Sequence, residues 1–207
     1  IGQDSILLNN VVAQKLQIDP ATGQYVSIRA LGSTDIPETV VYGSAYIQDD
    51  VRDNTKGLRV VSLEGPNGTS FTVAGNLKTV INRTPGSTLT VGDTGNGSAT
   101  IDEKATDSNL VLDINAAVDE VNLDTATHVS GSGDIGKLNV TTDGSQCEIL
   151  PDEVVVRPGV TTTIQDMTDV DSEIAKEISS NPRLLEGYPK VRNVAPTTAD
   201  GYFSVNK

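Results

Sequence analysis

One short phrase recurs along this chain, and it constrains the fold more than any other feature. An apolar residue, two polar residues, an apolar, a polar and an apolar residue follow one another at residues 13–18, 118–123 and 135–140, with a looser copy at 77–81. Repetition of one short strand unit is typical of a stacked solenoid, in which each coil buries its inward side chains against the coils before and after it. The pattern therefore favours a structural or binding role over catalysis.

The composition favours strands over long helices. Aromatic residues make up 3% of the chain and Trp is absent, so a core must be built from Val, Ile, Leu, Thr and Ala, a β-rich set. The 19 Gly and 9 Pro punctuate short apolar runs at intervals of about ten residues, as turns between strands do. The predicted strands are the runs at 6–8, 25–28, 40–47, 58–63, 71–73, 77–81, 89–91, 110–114, 121–123, 138–140, 154–156 and 162–164.

The later apolar runs are spaced like the coils of a β-solenoid. Four inward candidates are separated by 22, 17 and 16 residues: Ile101, Leu123, Val140 and Val156. We predict that they stack, one in each coil, in an all-β, single-stranded parallel β-solenoid or β-helix with short strands. Right-handed coiling is the expected sense, because parallel crossovers are nearly always right-handed.

The chain changes character after residue 165. Residues 166–173 are acidic, and a two-turn helix is predicted over 172–179 because its apolar residues fall on one side. We expect this helix to cap the open end of the solenoid, which would otherwise expose apolar side chains and an unpaired strand edge. The predicted division is a β-solenoid over 1–165, an acidic linker with a short capping helix over 166–187, and two strands over 188–207 that form the truncated start of a following β-sandwich module.

The formal net charge of −13 argues against two classes of partner. Proteins bind nucleic acids and anionic membrane surfaces through Lys and Arg, and in this chain Asp and Glu outnumber Lys and Arg. No apolar stretch approaches the roughly 20 residues of a membrane-spanning helix. Cys147 is the single cysteine, so it forms no intrachain disulfide and is interpreted as a small buried hydrophobic residue. Because the chain begins Ile1-Gly2 without Met, we expect it to be a piece of a longer protein.

Residues 118–164 also carry a family resemblance. Two rungs, VDEVNL and SGSGDIGKLNV, lead into PDEVVV at residues 151–156 and a Gly-Val pair at 159–160. This succession resembles the β-solenoid region of large secreted Firmicute cell-surface proteins that often carry S-layer homology domains. The tail NPRLLEGYPKVRNVAPTTADGYFSVNK at 181–207 is similar to the junction with a fibronectin type III-like module in those proteins.

The resemblance covers most of the chain from about residue 76 onward and, more weakly, residues 5–50. Its motifs are specific to an architecture and carry no chemistry of their own. It implies an extracellular, surface-attached and non-enzymatic spacer or adhesive module. Wall anchoring would lie elsewhere, since no S-layer homology repeat is present in these residues.

Few residues qualify as parts of a chemical site. His128 is the only histidine, which excludes a His-pair metal site, and we interpret it as a surface or core-edge residue. Two acidic groups offer the oxygen ligands that calcium prefers. They are Asp166, Asp169, Asp171 and Glu173 at the predicted helix start, and Asp49, Asp50, Asp53 and Asn54 in an earlier turn. The spacing in both groups is not that of an EF-hand loop, so we assign no metal ligand. We also assign no catalytic or cofactor-binding residue.

The favoured function is a non-catalytic structural or adhesive segment of a bacterial cell-surface protein, acting outside the cell as a stiff spacer or interaction module. Its expected partners are other modules of the same protein, cell-wall or host glycans, or surface proteins. A carbohydrate-binding module, with or without calcium, is the first alternative. A polysaccharide lyase or hydrolase on a β-helix is the second, and it is disfavoured because the Tyr residues are scattered and the basic residues do not cluster with Asp.

Overall fold

The computed structural model describes residues 3–95 and 99–180, and nearly all regular structure within them is β-strand. The elements in chain order are β1 (Gln3–Asn9), β2 (Lys15–Ile18), β3 (Tyr25–Leu31), β4 (Asp35–Ile36), β5 (Glu38–Val41), β6 (Ala45–Asp49), β7 (Gly57–Leu58), β8 (Val60–Leu63), β9 (Ser70–Gly75), β10 (Thr79–Asn82), β11 (Thr88–Val91), β12 (Ala99–Glu103), β13 (Ser108–Leu112), β14 (Ala117–Leu123), β15 (Thr127–Gly131), β16 (Asp134–Val140), β17 (Gln146–Cys147), β18 (Glu153–Val156), β19 (Thr162–Ile164), β20 (Met167–Val170) and α1 (Ser172–Ser180).

The strands assemble into two long sheets, and each coil contributes to both. The ten-stranded sheet has the order β1-β3-β6-β9-β11-β13-β15-β17-β19-β20, the eight-stranded sheet has the order β18-β16-β14-β12-β10-β8-β5-β2, and β4 pairs with β7 in a short third sheet. Neighbouring strands are parallel, except that β19 and β20 are antiparallel. Register partners in the parallel pairs are 16 to 26 residues apart, from Leu138 with Val154 to Ala45 with Phe71. This confirms the predicted parallel β-solenoid, which has about eight coils.

The recurring phrase marks the strands of one sheet. Its four copies fall on β2, β10, β14 and β16, all of which belong to the eight-stranded sheet. In the two best copies Val121 is the register partner of Leu138, and Leu123 that of Val140. The phrase therefore repeats because successive coils present the same inward and outward positions.

Inward side chains of the ten-stranded sheet form a continuous apolar ladder. Successive coils contribute Val26, Ala45, Phe71, Leu89, Leu110, Val129, Cys147 and Ile164, all of them buried. Each side chain thus packs against its counterparts in the adjacent coils, about 4.8 Å away on either side. Burial of this apolar surface is the main stabilising term that the coils share.

Two further ladders lie on the inner face of the eight-stranded sheet, two residues apart along each strand. The first ladder consists of Leu16, Thr39, Val61, Val80, Ile101, Val121, Leu138 and Val154. The second ladder consists of Ile18, Val41, Leu63, Asn82, Glu103, Leu123, Val140 and Val156. The members of both ladders are buried, except for Leu16 in the first coil, which is partly buried.

The ladders confirm one part of the predicted stack and correct another. Leu123, Val140 and Val156 do occupy successive positions of the second ladder. The placement of Ile101 beneath Leu123 is wrong, because Ile101 pairs with Val121 and Leu123 pairs with Glu103. The two strands are 20 residues apart here, and each has two inward positions, so the 22-residue spacing joins a member of one ladder to a member of the other.

One glycine is required where neighbouring coils approach each other closely. Gly131 has a φ of 114°, in the region that favours glycine. A Cβ atom at this position would lie 2.0 Å from the carbonyl oxygen of Leu112 in the preceding coil. The coil spacing at this corner therefore depends on the missing side chain.

The C-terminal end of the described coils is covered by β20 and α1. The helix spans Ser172–Ser180 and buries Ile174, Ala175 and Ile178, in agreement with the predicted amphipathic cap. Its Ser179 hydroxyl donates to the Val154 carbonyl and accepts from the Val154 amide on the edge strand β18. β20 is an additional strand, absent from the predicted set, that pairs antiparallel with β19. The two strands predicted over 188–207 lie outside the described residues.

Candidate functional site

The outer face of the ten-stranded sheet carries a group of polar and aromatic side chains in its early coils. We call Tyr25, Arg29, Tyr46, Gln48 and Asp50 the tyrosine row. Successive side chains of a strand point to opposite faces, so buried Val26 and Ile28 leave Tyr25 and Arg29 on the outside of β3. Tyr46 and Gln48 are outward in the same way on β6.

Hydrogen bonds link four members of the tyrosine row. The Tyr46 hydroxyl donates to Gln48 Oε1 at 2.9 Å, and Gln48 Nε2 donates to Asp50 Oδ1 at 2.9 Å. The other Asp50 oxygen accepts from Nε of Arg29 on the adjacent coil. Each side chain therefore holds its neighbour in place, which lowers the entropic cost of binding a ligand across them.

Tyr25 lies on the same outer face as the rest of the row. Partial burial raises the pKa of Tyr25, with a smaller contribution in the same direction from Tyr46. Thr72, the register partner of Tyr46 on β9, lowers the pKa of Tyr25 slightly. In the sequence the tyrosines are scattered. The coil register brings Tyr25 and Tyr46 to one surface, and this arrangement combines aromatic bodies with amide, carboxylate and guanidinium groups.

A second polar row lies on the outer face of the eight-stranded sheet. Asn122 Nδ2 donates to Asp102 Oδ1 at 2.8 Å, while Asn139 Nδ2 donates to Asn122 Oδ1 at 2.7 Å and to Glu120 Oε1 at 2.6 Å. These bonds cross from one coil to the next. We interpret this row as structural, because its amide donors are used within the solenoid.

His128 lies on the surface, as expected from its sequence context. It is on β15 beside a groove of about 260 Å³, and its Nε2 atom is 3.0 Å from Glu148 Oε1 on the next coil. Its side chain is 42% exposed, so the pair lies in solvent rather than in an enclosed site. The described residues do not give this histidine the buried carboxylate that orients a catalytic imidazole.

The two acidic groups proposed from the sequence serve local structure. Asp171 Oδ1 accepts from the backbone amides of Glu173 and Ile174 at 2.9 and 3.0 Å, which makes it the N-cap of α1. Asp53 accepts from the backbone amide and the hydroxyl of Thr55. Asp49 is buried and accepts from the backbone amides of Val51 and Leu58. Within residues 3–95 and 99–180, no group of three or more His, Cys, Asp and Glu side chains is arranged to hold a metal ion.

Basic residues do pair with Asp, contrary to the expectation from the sequence. Arg59 binds Asp35 through two bonds of 2.8 and 2.6 Å, and Arg29 binds Asp50. The partners are 21 to 24 residues apart, so each pair joins adjacent coils. Linear inspection misses such pairs because one coil separates their members.

Cys147 is buried, as predicted, and occupies a position in the apolar ladder of the ten-stranded sheet. Its Sγ atom is 3.1 Å from the Ile149 carbonyl oxygen. Burial raises the pKa of this thiol to about 12. A thiol that stays protonated is a poor nucleophile, so Cys147 acts as a hydrophobic residue.

The described part of the chain contains no helix long and apolar enough to cross a membrane.

Comparisons with known proteins find a structural likeness and no family. No protein-family model matches the chain, and no curated protein matches it. Among solved structures, the crystal structure of chitinase ChiW from Paenibacillus sp. str. FPU-7 aligns with a TM-score of 0.65 and 24% sequence identity, over 76% of this chain and 14% of that chain. ChiW is described as a bacterial cell-surface-expressed, multi-modular enzyme machinery. The chain spans about one seventh of ChiW, and the likeness shows the β-solenoid fold.

Proposed function

We propose that this chain is a non-catalytic structural segment of a bacterial cell-surface protein, in which the solenoid acts as a stiff spacer between other modules. The observation that carries the proposal is the in-register parallel pairing of successive coils in two sheets, from β1 to β19 and from β2 to β18. Each coil is fixed to the next by backbone hydrogen bonds and by shared apolar ladders, which resist bending. The cell-surface setting of ChiW supports the extracellular location.

Stiffness is the property that distinguishes a spacer, and two exposed residues allow it to be measured. Leu7 is 64% exposed in the first coil and Ile114 is 76% exposed in a later one. We would introduce Leu7→Cys and Ile114→Cys, attach spin labels, and measure the distance distribution by pulsed electron paramagnetic resonance. The wild-type chain, whose single cysteine Cys147 is buried, is the control for background labelling. A single narrow distribution is expected, and a broad or bimodal distribution would contradict the proposal.

Absence of turnover is the second test of a non-catalytic role. The chain would be incubated with chitin, a neutral glucan and a uronate polysaccharide, and reducing ends and unsaturated products would be followed. No sustained release is expected. Sustained release that disappears when one carboxylate is replaced would overturn the proposal in favour of a hydrolase or lyase.

A carbohydrate-binding module is a second candidate, and the tyrosine row favours it. Sugar rings present apolar faces and hydroxyl edges, and the row offers two tyrosines beside an amide, a carboxylate and a guanidinium group on one surface. Other modules of the protein, cell-wall glycans and host glycans or surface proteins remain the partners that we propose.

A glycan array separates the two candidates. We would probe wild type, Tyr46→Ala and the matched control Tyr42→Ala, whose tyrosine follows β5 of the other long sheet. A glycan affinity that falls at least tenfold in Tyr46→Ala and is unchanged in Tyr42→Ala would support a binding module on the tyrosine row. Repeating the array with a chelator tests for calcium. No binding by any of the three proteins would leave the spacer as the function.

A further inference from the structure

Glu103 occupies an interior position that aliphatic residues fill in most other coils. It lies in the second ladder between Asn82 and Leu123, and its exposed fraction is 0%. Ile101, two residues earlier on the same strand, is an ordinary member of the first ladder. A carboxyl group at this depth is costly unless hydrogen bonds or an opposite charge compensate its burial.

The hydrogen bonds to Glu103 reach one oxygen of the carboxyl group. Oε2 accepts from Asn82 Nδ2 at 2.8 Å and from Ser108 Oγ at 3.0 Å. Oε1 is buried and has no hydrogen-bond partner among the described residues. An ionised carboxylate has two acceptor oxygens to satisfy, whereas the neutral acid carries its proton on one of them. The two donors to Oε2 favour the carboxylate, but burial of the group with Oε1 unpartnered favours the neutral acid, and burial is the larger effect.

The surroundings of Glu103 supply no compensating charge. The groups that face it from the neighbouring strands are uncharged, and they are Asn82 of β10, Ser108 of β13 and Leu123 of β14. Its charged neighbours in the chain face outward. Asp102 accepts from Asn122, and Lys104 lies 3.2 Å from Asp124. An ionised Glu103 would thus be an unpaired charge in an apolar core.

Asp49 shows how this fold holds a buried carboxylate when donors are provided. It is 1% exposed, but each of its oxygens accepts from a backbone amide, Val51 at 2.9 Å and Leu58 at 2.7 Å. Burial raises the pKa of Asp49, and these two bonds oppose that rise. The distribution of donors, one on each oxygen rather than two on the same oxygen, distinguishes Asp49 from Glu103.

We propose that Glu103 is a proton-binding joint in the interior of the solenoid: as the neutral acid it ties β10 and β12 to β13, and release of its proton to the solvent loosens the coils around it. The proton leaves as the carboxyl group becomes a carboxylate, with no other group oxidised or reduced. This inference concerns the interior and is independent of whether the chain binds glycans.

The direction of the pH effect follows from the two states of Glu103. Burial raises its pKa from the usual 4.5 to about 8 in the folded chain, whereas the unfolded chain gives up the proton near 4.5. The folded chain therefore binds one more proton than the unfolded chain between these values. The contribution of Glu103 to stability is largest below about pH 4.5, falls between about pH 4.5 and 8, and stays at its minimum above that range.

The direct test is a titration of the wild-type chain by nuclear magnetic resonance with glutamate labelled at the side-chain carboxyl carbon. The resonance that is missing from Glu103→Gln identifies Glu103. We expect it to titrate near pH 8, well above the roughly 4.3 of an ordinary glutamate. A midpoint at or below about pH 6 would overturn the proposal, because the joint would then be ionised at neutral pH.

Urea unfolding tests the consequence for the coils. The unfolding midpoint of wild type should fall between about pH 5 and 8 by more than that of Glu103→Gln, which carries no proton to lose. Glu153→Gln is the matched control, since it makes the same change on a side chain that is 52% exposed and paired with Lys137. It should keep the wild-type pH dependence. Equal pH dependence of all three proteins would contradict the loosening of the coils.

Discussion

The two inward ladders of the eight-stranded sheet share strands, face and coil spacing, yet they differ in chemistry. The first ladder is aliphatic from Val61 to Val154, and its buried polar member, Thr39, carries no titratable group. The second is interrupted by Asn82 and Glu103 in adjacent coils. The polar pair is tolerated because the two side chains hydrogen-bond each other across the coil boundary, where an isolated polar residue would be unsatisfied.

The difference indicates a division of labour between the ladders. The first ladder contributes apolar burial that varies little with pH. The second adds a specific polar contact that is satisfied in one register of β10 and β12, and it makes stability depend on a proton. A solenoid can combine the two because each coil position is filled separately and is constrained chiefly by the coils next to it.

Truncation within the first ladder should have the largest effect. Ile101→Ala would leave a cavity between Val80 and Val121, and we expect it to lower the free energy of unfolding by about 2–5 kcal/mol. Val155→Ala is the control, because Val155 is 42% exposed on the opposite face, and it should change stability by less than about 0.5 kcal/mol. Urea denaturation measures both. Equal losses would show that the ladder assignment is wrong.

Breaking the polar pair should have an intermediate effect. Asn82→Leu removes a donor to Glu103 and should destabilise the chain by about 1–3 kcal/mol, since the carboxyl group loses one of its two bonds. Combining Asn82→Leu with Glu103→Leu extends the aliphatic character of the second ladder. The double variant should be more stable than Asn82→Leu alone at about pH 8, where the unpaired carboxylate is costly. Additive losses in the double variant would rule out coupling between the two residues.

The change of the urea midpoint between about pH 5 and 8 should depend on the second ladder and not on the first. Ile101→Ala should lower the urea midpoint by a similar amount at about pH 5 and at about pH 8, because it leaves Glu103 and its raised pKa in place. The curve of midpoint against pH would then be displaced and parallel to that of wild type. A flattened curve would mean that the first ladder also controls the proton, against the division of labour between the ladders.

The smallest effect is expected outside the ladders. Lys176 pairs with Glu173 on the exposed face of α1, with an N–O distance of 2.6 Å and side chains that are 70% and 77% exposed. Lys176→Ala should change the free energy of unfolding by less than about 0.5 kcal/mol, because solvent screens such pairs. Thermal unfolding at low and high salt would check this. A loss of the size expected for Ile101→Ala would show that the cap depends on this ion pair.

Repetition made the fold predictable from the sequence. The recurring phrase identified strands of one sheet, and the 17- and 16-residue spacings placed Leu123, Val140 and Val156 in one ladder. The capping helix was predicted to within one residue, since its apolar positions have helical spacing. These successes share a cause, which is that local pattern and coil geometry agree in those segments.

The candidate sites were not predictable, because they depend on register. Val118 and Glu120 pair with Ala99 and Thr100, so Asp119 is an extra residue in its strand. Glu103 is inward by alternation with Ala99 and Ile101 on β12, but its charge and the adjacent Lys104 make it look like a surface residue in the sequence. The tyrosine row also depends on register, since the 19-residue offset between β3 and β6 places Tyr46 opposite Ser27, two residues along the strand from Tyr25.

The central claim is that successive coils share their inward ladders, and methyl nuclear Overhauser effects test it most directly. In the stacked solenoid, Ile101 is the register partner of both Val80 and Val121, on strands about 4.8 Å to either side. Cross-peaks from the Ile101 methyl groups to both valines are therefore predicted. Leu138 should likewise connect Val121 to Val154. A set of cross-peaks that links Ile101 to neither valine would contradict the shared ladders.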